Sequence, residues 1–331
     1  MRPSRRSRES QNRPGLRSEY LTVVVRSLTV LTLIAVGIVA WRVTAGGSSS
    51  ATPLFAPAVL GGQPRGAVVQ AQEDRDLAVA LAAAPRGGRT LVVATVLGPD
   101  GEGTTGLGVR ISGVSATPGP AGTYAALLPV ARPARVVRVL VTRRDGHTDT
   151  VPFRLPAAWP PRPAGRLMAR IDRVYRDLRA LVIHERLASS PTAEITSVYR
   201  EAAPTSLAIS SSNGNREVVI GEHRWDRHPG AGWETSQQLP ALRAITPFWR
   251  GTLQDVTVLG TTTASGRPAL RLSFAAPQIP AFFELEVDRI TYRPLLLTMI
   301  AAAHFMQHRY SGFDVPQHIV APSQTAGRPS S

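Results

Sequence analysis

One short stretch of this 331-residue chain, His304-Phe-Met306-Gln-His308, brings together side chains that could do chemistry. Alternate residues of a strand share a face, so His304, Met306 and His308 would project together. Two neutral imidazoles and a thioether make a soft donor set suited to a copper ion. His223 and His228, in EHRWDRHPG, could approach from a neighbouring hairpin. The plainer alternative is that the same face packs into a core, each imidazole hydrogen-bonded and Met306 lining an apolar space.

A second group is aromatic. Trp225, Trp233, Phe248, Trp249, Phe282, Phe283, Phe305 and Phe313 concentrate in the C-terminal half. They read either as a pocket for a lipid or other hydrophobic ligand or as an ordinary core. Signatures of catalysis are sparse. No G-x-S-x-G elbow occurs, and His184-Glu185 lacks the second histidine of a metalloprotease pair. The acidic pairs Glu284/Glu286 and Asp172/Asp177 read as solvated faces. Gly101-Glu-Gly103-Thr-Thr-Gly106 spells the dinucleotide fingerprint, but the strand pattern LGVRISGV follows where the fingerprint needs a helix. A binding protein without a nucleotide cofactor, and not an enzyme, is the expectation.

Composition narrows the classes further. Cysteine is absent, which removes disulfides, cysteine-based zinc sites and thiol nucleophiles. The formal net charge is +15, and all 38 basic residues are arginine. These arginines are scattered instead of forming the stripe or patch that nucleic-acid binding requires, so no nucleic-acid partner is expected.

The elements that would position these groups can be read in order. Residues 1–20, with Arg2, Arg5, Arg6, Arg8, Arg13 and Arg17, form a basic N-terminus. The apolar run LTVVVRSLTVLTLIAVGIVAW (21–41) has the length of a membrane-crossing helix. By the positive-inside rule it would be a single-pass plasma-membrane anchor over 21–45, its N-terminus cytoplasmic. A cleavable signal peptide with Ser27–Trp41 as its apolar region is the competing reading. Either way the main domains lie outside the cytoplasm. Residues 46–74, rich in Gly, Ser, Ala and Pro, suit a flexible spacer.

Residues 75–156 alternate short strands with turns such as GPDGEG and RRDGH, the pattern of an immunoglobulin-like β-sandwich. The segment 157–164 is a Pro-rich linker. Beyond it Leu167, Ile171, Val174, Tyr175, Leu178 and Val182 recur at helical spacing. Strands then dominate to about residue 320, interrupted by Leu239–Arg250, a short helix or lid-like loop. A helix followed by an antiparallel meander gives a mainly β, α+β domain over 165–320: an unclosed antiparallel half-barrel with a covering helix. A disordered tail, 321–331, ends the chain.

The order of elements in 165–320 resembles lipoprotein carriers of the LolA/LppX type. The stretches HERLASSP, VVIGEHRWDR with GWETS, VLGTTTASGRPALRLSF and AAAHFMQHRYSGF resemble the C-terminal domain of exported bacterial proteins that carry a YtkA/CopC-type immunoglobulin-like domain in front. Some of these are associated with CopD-type copper-resistance segments, a multi-span portion that this chain lacks. The resemblance implies a half-barrel cavity that shields an acyl chain, with a lipid or lipoprotein as ligand and Leu239–Arg250 as its gate. Tyr175, Leu178, Trp225, Trp233, Phe248, Trp249, Phe283 and Phe305 would line that cavity. Two alternatives stand beside it. One is envelope copper handling through His304, Met306 and His308; the other is a structural or sensory module without a ligand.

Overall fold

A computed structural model describes Phe55–Ala56 and residues 63–323, except 75–76, 100, 131–132, 134, 189–193, 277–280 and 302–303. The expected anchor over 21–45 and most of the expected tail lie outside the described residues. Among the described residues no helix is long and apolar enough to cross a membrane. The described residues fall in one compact unit.

The first part of that unit is a two-sheet sandwich. Its strands are β1 (Phe55–Ala56), β2 (Val68–Asp74), β3 (Leu77–Arg86), β4 (Arg89–Leu97), β5 (Gly103–Thr104) and β6 (Gly108–Ile111). They continue with β7 (Val114–Ser115), β8 (Thr117–Pro118), β9 (Thr123–Leu128), β10 (Val136–Thr142) and β11 (Thr148–Arg154). One sheet runs β1-β5-β4-β3-β2, with β9 paired to β4 and β8 to β9; the other runs β11-β10-β6-β7. Strict alternation in β10 and β11 sends Val137, Val139, Val141, Val151 and Phe153 inward against Val79, Leu81, Val92 and Tyr124. The fingerprint-like glycines fall at β5 and its flanking turns, with no helix after them. Residues 68–74, read from composition as the end of a spacer, form β2, in which Val68, Val69, Gln70 and Ala71 are buried.

Strand β3 departs from alternation: Leu77 to Ala84 are buried without a break. Leu77, Val79 and Leu81 fill the sandwich core, while Ala78, Ala80, Ala82 and Ala84 join a second cluster on the outer face. That cluster also contains Ala188, Ala275, Phe282, Ile300 and Phe305 from the C-terminal sheet. A row of methyl groups lets the two sheets approach closely enough to bury both faces of β3.

The C-terminal part opens with helix α1 (Gly165–Arg176) and continues with β12 (Ala180–Ala188), β13 (Glu194–Ala202), β14 (Ser206–Ser211), β15 (Arg216–Ile220) and β16 (His223–Arg227). After these come β17 (Trp233–Gln237), β18 (Gln254–Ala264), β19 (Arg267–Ala276), β20 (Ala281–Asp288), β21 (Pro294–Ala301) and β22 (His304–Ser311). All eleven strands make one open antiparallel sheet in the order β17-β16-β15-β14-β13-β12-β22-β21-β20-β19-β18. Helix α1 buries Met168, Ile171 and Tyr175 against the inner face, and Arg173 and Arg176 in its last turn complement the helix dipole. The helix ends at Arg176. Val182, counted in the helical spacing, lies instead within β12, which is hydrogen-bonded on both sides, to β13 and β22. Tertiary pairing overrides the local period there.

The two edge strands, β17 and β18, are consecutive in the chain. Residues 238–253 therefore run from one edge of the sheet to the other, and this strap carries no helix. Pro240 and Pro247 each remove a backbone donor, which disfavours the helical alternative for Leu239–Arg250.

Candidate functional site

Cross-strand register fixes which side chains share the inner face. Leu297, His308, Glu185, Ser197 and Ser211 form one row across β21, β22, β12, β13 and β14. Tyr310, Ile183, Tyr199, Ile209 and Glu217 form an adjacent row, continuing onto β15. Toward β18 the face is wholly apolar, with Phe274, Phe283, Leu285, Leu297, Met299 and Met306. The Phe274 and Phe283 rings stack at 5.1 Å.

A polar network sits where these halves meet. His308 Nε2 lies 2.8 Å from Glu185 Oε2, with the two side chains only 5% and 9% exposed. The Tyr199 hydroxyl donates to Glu185 Oε1 at 2.8 Å. The Tyr310 hydroxyl is 3.5 Å from His308 Nδ1, the outer limit of a hydrogen bond. Burial holds the Tyr175, Tyr199 and Tyr310 hydroxyls well above the ordinary tyrosine range, so they remain donors. Burial likewise raises Glu201 to about 7, opposed by the backbone N–H of Ile245. Farther out Arg224 bridges Glu217 and Asp226 at 3.0 and 2.7 Å.

The strap closes over this network. Leu242 N–H donates to the Gly221 carbonyl, Ala244 N–H to the Pro204 carbonyl, and Ile245 N–H to Glu201 Oε2 at 2.9 Å. Ile245 adopts φ +58°, a costly backbone conformation for a β-branched residue. Trp249 is fully buried; its indole N–H donates to Asp172 Oδ1 of α1 at 2.7 Å and its ring meets Tyr175 edge-on at 5.4 Å. Phe248, half-buried, lies edge-on to His308 at 5.4 Å and 6.3 Å from Phe283.

The residues expected to line a cavity thus fall in three places. Tyr175, Leu178, Phe248, Trp249 and Phe283 meet between helix, strap and inner face. Phe305 points the other way, into the seam with the sandwich. Trp225 and Trp233 lie near and on the β17 edge, with the Arg227 guanidinium over the Trp233 ring. A shallow groove of about 440 Å³ opens at the end of α1, lined by Val174, Asp177, Leu178, Thr291, Arg293 and Asp314.

Met306 and His308 share the inner face as the spacing implies, but His308 Nε2 is engaged by Glu185 and Met306 is packed in the core. His223 sits on β16, five strands from β22, beside Trp225, and His228 pairs with Asn215, so neither comes from a neighbouring hairpin. Among the described residues no group of three or more His, Cys, Asp or Glu side chains could hold a metal ion. Two acidic residues read as solvated are engaged: Asp172 holds Trp249, and Glu284 is buried in the seam. Glu185, Tyr199, Glu201 and Tyr310 escaped the sequence reading. Their signal is a polar residue in the apolar phase of a strand, as in Ile183-x-Glu185-x-Leu187 and Met306-x-His308-x-Tyr310.

No family model and no curated protein matches the chain. Among solved structures it is similar to the Mycobacterium tuberculosis lipoprotein LppX, at 10% identity and a TM-score of 0.37, covering 46% of this chain and 97% of that one. It is also similar to a LolA superfamily protein from Nitrosomonas europaea, at 11% identity and a TM-score of 0.24, covering 45% and 94%. Likenesses at these scores do not extend to ligand or activity.

Proposed function

We propose that this chain is a binding protein, not an enzyme, that holds a hydrophobic ligand such as a lipid acyl chain against the inner face of its eleven-stranded sheet. The observation that carries this reading is how that face is covered. A sandwich would cover it with a second sheet; here one 12-residue helix and an irregular strap do so. The strap's Phe248 and Trp249 rest on Phe283, His308 and Tyr175, where an acyl chain would lie once the strap lifts. Each methylene taken out of water there would contribute about 0.8 kcal/mol. The apolar run 21–41 would tether the protein to the outer side of the plasma membrane, with the sandwich as an immunoglobulin-like mount between tether and half-barrel.

The test is native mass spectrometry of the full-length chain released from an amphipol, together with binding of the apolar dye N-phenyl-1-naphthylamine. A lipid-sized bound mass, or saturable dye binding that loads several-fold faster in Phe248→Ala, is the expected result. A bare polypeptide mass with no saturable dye binding in either protein would refute the reading and leave a structural module.

A further inference from the structure

The acyl-binding face is not uniformly apolar, and one of its polar points, His308, lies against Phe248. Lifting Phe248 uncovers an apolar wall, Phe283 stacked on Phe274, and beside it the edge of His308. Nothing in an acyl chain needs an imidazole. A protein that only buried hydrocarbon would gain by replacing this network with leucines, because a buried polar group costs free energy unless it is fully bonded. Resting on the carrier reading, we infer that the ligand has an uncharged, hydroxyl-bearing head group, recognised by His308 and Tyr310, and that carboxylate and phosphate heads are excluded.

The hydrogen-bonding roles lead to this class. Glu185 accepts from Tyr199 and faces His308 Nε2, so in the neutral imidazole Nε2 is the donor and Nδ1 the acceptor. Tyr310 holds its proton and reaches Nδ1 only at 3.5 Å, a weak bond readily exchanged for a better one. One acceptor and one donor side by side match a hydroxyl, which both gives and takes a hydrogen bond. An anionic head would meet the carboxylates of Glu185 and Glu201 around the point, while Arg224 on this face is already held by Glu217 and Asp226. Buried like charges repel strongly where water is excluded.

The experiment compares two ligands with the same 16-carbon chain, 1-monopalmitoylglycerol and palmitate, as competitors of N-phenyl-1-naphthylamine. It uses the full-length chain in amphipol at pH 8, with amphipol alone as the blank. Wild type should prefer the monoglyceride by about tenfold, the worth of one or two buried hydrogen bonds. His308→Leu should bring the two ligands within about threefold of each other, each competition constant being read against the dye affinity measured for that same variant. Tyr310→Phe, which removes one oxygen and keeps the ring, should lower the preference by about threefold and guards against a folding defect in the first variant. Equal or tighter binding of palmitate to wild type, or a preference that survives both variants, overturns the head-group assignment while leaving the carrier reading in place. If the dye itself does not bind, the carrier reading fails and this inference with it.

Discussion

Glu284 lies in the seam between the sandwich and the C-terminal sheet, and its replacement should make the protein more stable. Its carboxylate accepts from the backbone N–H of Ala71 on β2 at 3.4 Å and lies 3.6 Å from Arg271 Nε, with the side chain 13% exposed. These partners are too long to offset desolvation, and burial raises the group from 4.5 to about 7, opposed by Arg271. A raised carboxyl contributes its full stability below pH 4.5, where folded and unfolded chains both carry the proton. That contribution is lost as pH climbs from 4.5 through 7, because over this range the unfolded chain gives up the proton while the folded state still holds it, and the loss levels off once the folded carboxyl ionises as well. The loss is about 3 kcal/mol at pH 8. Glu284→Gln keeps the shape and an acceptor for Ala71 but has no charge to bury. Urea unfolding of the full-length wild type and variant, followed by tryptophan fluorescence between pH 4.5 and 8, reads the difference directly. The two should coincide near pH 4.5 and separate progressively, the variant ending about 3 kcal/mol more stable. A difference that does not vary with pH, or a variant that becomes less stable as pH rises, would refute the reasoning. Arg271→Gln supplies the opposite perturbation: without the cation Glu284 should cost more, and the loss, beginning near pH 4.5 as before, should extend to higher pH.

Four other outcomes follow from the geometry. Ala80→Leu inserts a branched side chain between two buried sheets and should cost about 1–3 kcal/mol in chemical unfolding, as overpacked cores do. Trp249→Phe keeps the aromatic packing on Tyr175 but abandons Asp172; a loss of about 1–2 kcal/mol, cancelled when Asp172→Ala is already present, would confirm that the indole bond fastens strap to helix. Glu201→Gln should stabilise the protein above pH 7 and do nothing near pH 4.5, since burial raises this carboxyl to about 7 as well. In the sandwich, Gly122 has φ +72° and a Cβ there would stand 2.6 Å from the Thr104 backbone nitrogen, so Gly122→Ala should lower the unfolding midpoint by more than 1 kcal/mol's worth of urea.

Much of the fold was legible because strands announce themselves by period two and turns by glycine and proline. The alternation Val137, Val139, Val141 needed no tertiary information. What failed did so for definable reasons. Strand β2 hid inside a composition typical of spacers, since its identity comes from pairing with β3 and from burial in the seam. Helix α1, whose spacing reads as turning to strand near Leu181, ends at Arg176, because from Ala180 the backbone has already joined the sheet. The seam itself was invisible: LAVALAAA reads as a strand, but only a partner sheet explains why its second face is all alanine. The site was half legible. Tyr175, named from the helical spacing, and Phe248, Trp249 and Phe283, named from their aromaticity, do meet, whereas Phe305, Trp225 and Trp233 share their composition but not their face. Glu185, Tyr199 and Glu201 could be found only by asking why a strand's apolar phase holds a polar residue.

The strap has a mechanical consequence. It is a covalent tie between the first and last strands of an open sheet, so sheet and strap together form a closed loop of chain. Its sixteen residues, 238–253, can span at most about 55 Å when fully drawn out, and that length caps how far the rims can spread apart. If the protein carries a guest as proposed, that guest could not leave sideways past the rims, as it could from a simple trough. It would have to thread through one end of the loop, beside α1 or opposite it, and a bulky, branched guest would be retained longer than a slender one of equal hydrophobicity.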